Sequence, residues 1–229
     1  METLAILGGE PVKKTPFPQW PQYDENERRA LLEVLESREW WRTPGTRTLQ
    51  FEREFAAYHQ AKHGIAVTNG TAALEVTMAA LGVGPGDEVI VPDFTFVATA
   101  SAVLFSGAMP VMVDVTADTY CIDPDLAEAA INERTKAIIA VHMGGHPADL
   151  DRLLEIARKH GLFLVEDCAH AHGSEWKGHK VGAIGDIGTF SFQQSKHLTT
   201  GDGGMMTTDR EELYERLYNE WAFSGESPA

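Results

Sequence analysis

The stretch from Gly188 to Gly204, GTFSFQQSKHLTTGDGG, carries one lysine between a strand-like segment and a glycine-rich turn. The alternating residues 189–192 are typical of a short strand. Just past such a strand, the amine of Lys196 can face a cleft and form a Schiff base with a carbonyl, above all that of pyridoxal phosphate. A solvated loop lysine is the alternative that this stretch alone leaves open.

A second reactive group ends the apolar segment LFLVED. A carboxylate such as Asp167 is costly there unless a cationic partner is near, and a protonated pyridine nitrogen is such a partner. The following residues, CAHAHG, also offer Cys168, His170 and His172 as metal ligands. Because no fourth ligand stands at a familiar zinc spacing, the pattern favours the pyridine interpretation.

Three further positions fit the same chemistry. Gly70 and Thr71 lie between a predicted strand and a predicted helix, where backbone N–H groups, the helix dipole and the Thr71 hydroxyl can bind a phosphate. Ser191 can add a hydroxyl, and Phe96 could stack on a planar ring. A common βα turn and a core aromatic are the ordinary explanations of these residues, but together they agree on one cofactor.

The elements that must position these groups alternate between strand and helix from residue 65 onward. Uninterrupted apolar strands such as AIIAV indicate a parallel sheet covered by helices on both faces, hence an α/β, three-layer αβα fold. Ligands bind such sheets at the carboxyl ends of the strands. The predicted strands are Ile65–Thr68, Glu88–Val91, Val111–Val115, Ala137–His142 and Leu162–Glu166. The predicted helices are Thr71–Leu81, Phe94–Phe105, Asp125–Asn132, Asp149–His160 and Arg210–Phe223.

The first part of the chain reads differently. Residues 1–23 are rich in proline and aromatics and predict an extended arm, followed by a single domain over residues 24–229. Asp24 is expected to cap a helix that runs to about Ser37. The apolar side of that helix consists of Leu31, Leu32, Val34 and Leu35. A second helix is predicted from Thr48 to about His63, and its inward side chains are Leu49, Phe55 and Tyr58.

Composition limits the partners and the compartment. The chain has 229 residues and a net charge of -15, which argues against nucleic acid or an anionic membrane as the main partner. Two cysteines and no secretory signal pattern fit a reducing cytoplasm. The uncharged run Phe96–Val113 is interpreted as a helix, a turn and a strand rather than a membrane span.

Beyond these single residues, six stretches resemble the DegT/DnrJ/EryC1/StrS family of pyridoxal-phosphate-dependent aminotransferases, which have the fold-type I architecture. They are TNGTAALE, GDEVIVPDFTFVATASAV, PVMVDV, VHMGG, LVEDCAHAHGSEWKG and GTFSFQQSKHLTTGDGGMMTTD, between about residues 40 and 210. The resemblance implies that Lys196 holds the cofactor and that Asp167 partners the pyridine nitrogen. It implies further that His170 or Phe96 lies against the faces of the ring, and that the phosphate contacts are Gly70, Thr71 and Ser191.

Within the family, the segments FPQWPQYDENER, WWR and FEREFAAYH are similar to two groups of enzymes. One consists of glutamine-dependent cyclitol aminotransferases and the other is 3-amino-5-hydroxybenzoate synthase, an aminodehydratase that aromatises its substrate. A further branch of the family consists of dehydratases with histidine in place of the lysine. Lys196 argues against that branch, although His197 is directly adjacent to it. The resemblance implies a homodimer that transfers an amino group from glutamine or glutamate to a keto-sugar or ketocyclitol.

Family members continue past this point into a small C-terminal domain that helps to close the site. We therefore expect residues 24–229 to be the cofactor-binding large domain, with cofactor binding but little transamination by these 229 residues alone. A non-catalytic partner subunit that keeps the large-domain fold is the alternative from another class of protein.

Overall fold

The computed structural model describes residues 3–222, with side chains described to residue 219, and places nine strands and seven α-helices in this part of the chain. The strands are β1 (His63–Val67), β2 (Glu88–Pro92), β3 (Met109–Val113), β4 (Thr135–Val141), β5 (Phe163–Asp167), β6 (Glu175–Trp176), β7 (His179–Lys180), β8 (Ile187–Ser191) and β9 (Gly204–Thr208). The helices are α1 (Glu25–Ser37), α2 (Arg47–Tyr58), α3 (Gly70–Ala80), α4 (Ala98–Phe105), α5 (Pro124–Ala130), α6 (Leu150–His160) and α7 (Glu211–Ala222).

Seven of the strands form one sheet in the order β1-β9-β8-β5-β4-β2-β3. The pairs from β8 through β3 are parallel, whereas β9 runs antiparallel to both of its neighbours, β1 and β8. The mostly parallel sheet predicted from the apolar runs is therefore confirmed. The remaining two strands, β6 and β7, pair as a separate short hairpin, which the sequence pattern did not indicate.

The core lies on both faces of the sheet. Along β4, Ala137 and Ile139 belong to one apolar cluster, whereas Ile138 and Ala140 belong to the other. Successive side chains of a strand point to opposite faces, so this alternation places a packed layer on each side of the sheet. The structure is thus the three-layer arrangement expected for buried parallel strands.

The N-terminal helices differ from the expected pattern. Asp24 caps α1 as predicted, since its Oδ1 accepts the Asn26 N–H at 2.7 Å. However, Leu31, Leu32 and Leu35 are exposed and Val34 is only partly buried, so most of the apolar side of α1 is left uncovered by the described residues.

The second helix also ends earlier than predicted. Gln60 has a φ of 62°, which breaks the helix after Tyr58, and His63 already belongs to β1. Tyr58, expected to face inward, is 57% exposed, whereas Phe55 is buried as predicted. The helix buries Glu52 as well, which the sequence pattern did not indicate, and the Glu52 carboxylate pairs with Arg42 at 2.8 Å.

The predicted helix from Phe94 begins only at Ala98, so residues 93–97 form a loop beyond the carboxyl end of β2. This loop carries Phe96 toward the same edge of the sheet as the other candidate residues. Within residues 3–222, no helix has the length and apolar character needed to cross a bilayer.

Candidate active site

A cavity of about 610 Å³ lies at the carboxyl ends of the parallel strands. Val141, Asp167 and Ser191, the last residues of β4, β5 and β8, all line it. All seven residues selected from the sequence line this one cavity, although they come from segments up to 126 positions apart. They are Gly70, Thr71, Phe96, Asp167, His170, Ser191 and Lys196.

One wall of the cavity is the N-terminus of α3. The Asn69 side chain caps this helix, because its Oδ1 accepts the Ala72 N–H at 2.8 Å. The first N–H groups of a helix have no partner inside it, which leaves those of Gly70 and Thr71 directed toward a ligand. A Cβ on Gly70 would lie only 2.7 Å from the Ser191 Cβ, so the glycine allows α3 to approach the end of β8. Together they form a seat suited to an anion.

The carboxylate of Asp167 forms the floor. It is only 6% exposed, and two donors hold it: the Thr99 hydroxyl donates to Oδ2 at 3.0 Å, and the Ala169 N–H donates to Oδ1 at 3.1 Å. A carboxylate can accept about four hydrogen bonds, so both oxygens keep acceptor capacity. Because Asp167 lines the cavity, this capacity is available to a cationic group inside it.

Lys196 lies in a tight turn past β8. Its N–H donates to the Gln193 carbonyl at 2.8 Å, and the Gln193 side chain accepts both the N–H and the hydroxyl of Ser195 at 2.7 Å. A more distant contact also holds this turn, since Trp20 Nε1 of the N-terminal arm donates to the Gln194 carbonyl at 2.6 Å.

Burial lowers the pKa of Lys196 below its usual 10.5, although the nearby Asp167 carboxylate acts in the opposite direction. A larger fraction of this amine is therefore neutral than for a solvated lysine. The neighbouring His197 is exposed and does not line the cavity. Of these two adjacent residues, the lysine and not the histidine therefore lines the cavity.

The two histidines after β5 take different places. His170 lines the cavity, and burial together with Lys196 lowers its pKa. His172 instead stacks on Phe192, with ring centroids 5.5 Å apart, and burial lowers its pKa to about 4. Hence His172 packs as a neutral, partly buried aromatic ring against Phe192.

Cys168 does not join these histidines. Among residues 3–219, the ligand-type atoms that gather within 4.8 Å are those of Cys168, His142 and Glu166, all buried. Glu166 already accepts N–H groups from Gly182 and Ile184 at 2.9 Å and from Gly185 at 2.7 Å. The metal-ligand trio considered from the sequence is therefore not assembled, and the cluster that does form is occupied by hydrogen bonds.

His142 and Glu166 form a buried pair behind the site. The Ala148 N–H donates to His142 Nδ1 at 3.1 Å, which leaves the proton on Nε2 to donate to Glu166 at 3.1 Å. Burial acts most strongly on Glu166 and would raise its pKa. The bonds from His142 and the backbone outweigh that effect and lower the pKa.

Several cavity residues were not found from the sequence. Thr95, which lines the cavity, and Thr99, which is fully buried and donates to Asp167, occur in the segment DFTFVAT. This segment has the pattern of an ordinary helix, and the spacing of four between the two threonines is the only signal they carry. Gln193 and Ser195 flank the selected lysine but have the composition of a loop. Asn69 could have been selected as a helix cap, since Asn is among the best capping residues.

Comparison with known proteins agrees with this geometry. A model of the DegT/DnrJ/EryC1/StrS aminotransferase family matches residues 21–224. The chain belongs to this family. It is 48% identical over 219 residues to L-glutamine:2-deoxy-scyllo-inosose aminotransferase of Streptomyces kanamyceticus, covering 93% of this chain and 51% of that protein. It is 52% identical over 193 residues to 3-amino-5-hydroxybenzoate synthase of Amycolatopsis mediterranei, covering 84% of this chain and 50% of that protein.

Solved structures support the same assignment. A crystal structure of 3-amino-5-hydroxybenzoic acid synthase is similar with a TM-score of 0.88 and 49% identity, covering 90% of this chain and 54% of that one. A Streptococcus pneumoniae protein solved in its pyridoxal phosphate form is similar with a TM-score of 0.82 and 38% identity, covering 90% and 57% of the two chains. Pyridoxal phosphate is thus the cofactor of the family. The chain spans about half the length of the curated relatives it matches.

The residues around the cavity fit this cofactor. A methyl group on Gly70 would clash with Ser191, so the glycine lets the N-terminus of α3 lie close to the end of β8. This brings the free N–H groups of the helix and the Ser191 hydroxyl to one place, as phosphate binding requires. Across the cavity, the buried Asp167 carboxylate offers acceptors for a pyridinium N–H. The amine of Lys196 is suited to an aldehyde, and the rings of His170 and Phe96 are suited to contact with a planar ring.

Proposed function

We propose that this chain is the cofactor-binding part of a pyridoxal-phosphate-dependent aminotransferase. It would move the amino group of glutamine or glutamate to a keto-sugar or ketocyclitol, in the biosynthesis of a sugar or secondary metabolite. The observation that carries the proposal is that Lys196 and Asp167 line the same cavity as the anion seat at Gly70 and Ser191. The cyclitol aminotransferase relative supports the acceptor class.

Each part of the cofactor has a proposed partner. Lys196 holds the aldehyde carbon, and Asp167 accepts a hydrogen bond from the pyridine nitrogen. Gly70, Thr71 and Ser191 bind the phosphate. His170 and Phe96 lie against the ring faces, both being residues that line the cavity. When bound, the cofactor supplies an electron sink that stabilises negative charge on the α-carbon of the amino donor.

Lys196 is proposed to move the proton. A neutral amine can take a proton from the donor α-carbon, and its charged form can return one later, so a pKa nearer to neutrality suits both steps. Burial of Lys196 lowers its pKa in this direction. The unshared acceptor positions on the Asp167 oxygens leave room for a hydrogen bond from the pyridine nitrogen.

An aminodehydratase of the 3-amino-5-hydroxybenzoate synthase type is the second candidate. The observation that favours it is the 52% identity to that enzyme of Amycolatopsis mediterranei. Both reactions use every residue discussed above, so only the product distinguishes them. Formation of an aromatic amine favours the dehydratase, whereas an aminocyclitol favours the transferase.

The assembly and location are also proposals. The exposed Leu31, Leu32 and Leu35 of α1, with Trp40 and Trp41 beyond it, form an apolar surface that a second copy in a homodimer would cover. A cytoplasmic location is consistent with the two free, buried cysteines.

The test begins with binding and proceeds to transfer. Purified protein is mixed with pyridoxal phosphate, reduced with borohydride and digested, and the labelled peptide is identified by mass spectrometry. The loaded protein is then given glutamine, and the 2-oxo acid released is measured before and after addition of 2-deoxy-scyllo-inosose. Absence of a covalent label contradicts the proposal, whereas release of the 2-oxo acid excludes the non-catalytic partner subunit.

A further inference from the structure

We propose that Thr99 is a positioning residue for Asp167, and that Thr95 connects Thr99 to the cavity through a chain of two hydroxyl groups. This inference rests on the proposed function, because it assigns the residues that orient the carboxylate toward a cofactor. It is carried by the contacts of two threonines whose hydroxyls no other part of the mechanism uses.

The contacts are short and largely buried. Thr99 Oγ1 lies 3.0 Å from Asp167 Oδ2, and Thr95 Oγ1 lies 2.9 Å from Thr99 Oγ1. Thr99 is fully buried in the first turn of α4, whereas Thr95 is partly buried in the preceding loop and lines the cavity. The chain therefore runs from the cavity wall to the carboxylate.

The direction of the chain follows from counting hydrogens. An ionised carboxylate only accepts, so the single hydroxyl hydrogen of Thr99 is used on Asp167. Thr99 must then accept from Thr95, which fixes the hydrogen of Thr95 as well. Thr95 consequently presents oxygen lone pairs to the cavity, and a ligand group that meets it there is a hydrogen-bond donor.

Thr99 and Ala169 hold Asp167 from two independent elements. The Ala169 N–H comes from the backbone just after β5, whereas the Thr99 hydroxyl comes from α4, which follows β2. One donor on each oxygen fixes the plane of the carboxylate. With Thr99 removed, Oδ2 loses its fixed donor in a buried place, and the carboxylate can rotate away from a ring nitrogen.

The chain offers a matched control in Thr77. This threonine is also fully buried and helical, but its Oγ1 has no hydrogen-bond partner among the described residues. Replacing Thr by Val keeps the shape and removes the hydroxyl. Thr77→Val therefore reproduces the chemical change of Thr99→Val without the loss of a hydrogen bond to Asp167.

The experiment compares Thr99→Val, Thr99→Ser and Thr77→Val with the unmodified protein. Two properties are measured: the dissociation constant of pyridoxal phosphate by absorbance titration, and the ¹⁵N shift of bound cofactor labelled at the pyridine nitrogen. Melting of the cofactor-free proteins is measured alongside, so that a folding defect is recognised. Since a hydrogen bond to a charged group contributes about 1.5–3 kcal/mol, Thr99→Val is expected to weaken binding about 10- to 150-fold.

The expected pattern is weaker binding and a shift toward the unprotonated nitrogen in Thr99→Val. Thr99→Ser should keep the binding and the ¹⁵N shift of the unmodified protein, because it retains the hydroxyl, and Thr77→Val should alter neither property. If Thr99→Val binds as the unmodified protein does, with an unchanged ¹⁵N shift, the inference is overturned. Equal losses in Thr99→Val and Thr99→Ser also overturn it, because the hydroxyl would then not be responsible. Failure of the unmodified protein to bind the cofactor instead contradicts the proposed function itself.

Discussion

Replacement of Gly70 by alanine is the sharpest test of the anion seat. An added Cβ would lie 2.7 Å from the Ser191 Cβ, so α3 or the end of β8 must move by about 0.7 Å to reach the ordinary contact distance of 3.4 Å. Ser191 is 7% exposed in a strand that is paired with β9, so the helix terminus is the part that yields. The N–H groups of Gly70 and Thr71 would then leave the positions proposed to bind phosphate.

The magnitude follows from the cost of overpacking. Inserting a methyl group into a filled site commonly costs about 1–3 kcal/mol, which corresponds to roughly 5- to 150-fold in a dissociation constant. Helix propensity acts in the opposite direction, because alanine is better than glycine by about 1 kcal/mol in a helix interior. Gly70→Ala is therefore expected to lose cofactor affinity while its helix is intrinsically favoured, so the loss reports on the clash.

The assay is an absorbance titration with pyridoxal phosphate, paired with thermal melting of the cofactor-free protein. Gly84→Ala is the matched control, since a Cβ there would meet only the Ser106 carbonyl, at 4.0 Å. That variant should bind as the unmodified protein does. Unchanged affinity in Gly70→Ala would refute the reasoning, because it would show that the phosphate does not depend on this close approach.

Three further predictions concern charged residues near the cavity. Lys196→Ala should abolish the borohydride-reducible link, and peptide mapping of the unmodified protein should find the label on Lys196 rather than on Lys177 or Lys180, which pair with surface carboxylates. Asp167→Asn should keep the fold and slow donor α-proton removal by orders of magnitude, about 3–4 kcal/mol, in single-turnover assays; near-normal turnover would remove Asp167 from the site. Glu166→Gln should lower the free energy of unfolding by about 1.5–3 kcal/mol at neutral pH, measured by denaturant titration, because the hydrogen bonds that Glu166 accepts would lose their charged acceptor. Because the pKa of Glu166 is lowered from 4.5, its contribution is present above pH 4.5 and is lost as the pH falls through the lowered value. The difference between the two proteins should therefore shrink in acid, and a pH-independent difference would contradict this account.

The sequence was most informative where chemistry and topology coincide. Asp167 and Ser191 end apolar strands, and Gly70 begins a helix directly after one, so the rule for parallel sheets predicts that all three meet at one edge. Lys196 could be selected only together with the other candidates, because the same stretch alone also fits a solvated loop lysine, whereas all the candidates agree on one cofactor. These signals are local in sequence, and the long-range arrangement follows from the fold class.

Other features could not be predicted because they depend on tertiary partners. Glu52 looks like a surface residue of an amphipathic helix, yet it is buried because Arg42 reaches it. Tyr58 has the spacing of an inward residue but lies where the helix ends, and it remains exposed. Thr99 has no recognisable pattern around it in the sequence. Its partner, Asp167, is 68 positions later in the chain, so only the folded structure brings the two together.

The two acidic residues at the end of β5 show how one strand can serve both the site and its support. Asp167 lines the cavity, whereas the adjacent Glu166 lies on the opposite face and accepts N–H groups from residues 182–185, which lead directly into β8. The backbone continues this connection, because the Cys168 N–H donates to the Thr189 carbonyl at 2.8 Å. The ends of β5 and β8 are therefore held together by the Glu166 contacts on one face and by backbone hydrogen bonds within the sheet.

This division explains which parts of the proposed site are fixed by the core and which are not. Asp167 and Ser191, the proposed partners of the ring nitrogen and the phosphate, lie on paired, buried strands. Lys196 and Phe96, the proposed partners of the aldehyde carbon and the ring face, lie on loops beyond them. An aminotransferase would need both properties, because Asp167 and Ser191 would have to hold the cofactor in place while the Lys196 amine moves a proton. In the proposed site the strands would therefore position the cofactor, whereas the loop that carries Lys196 would leave its amine free to move a proton.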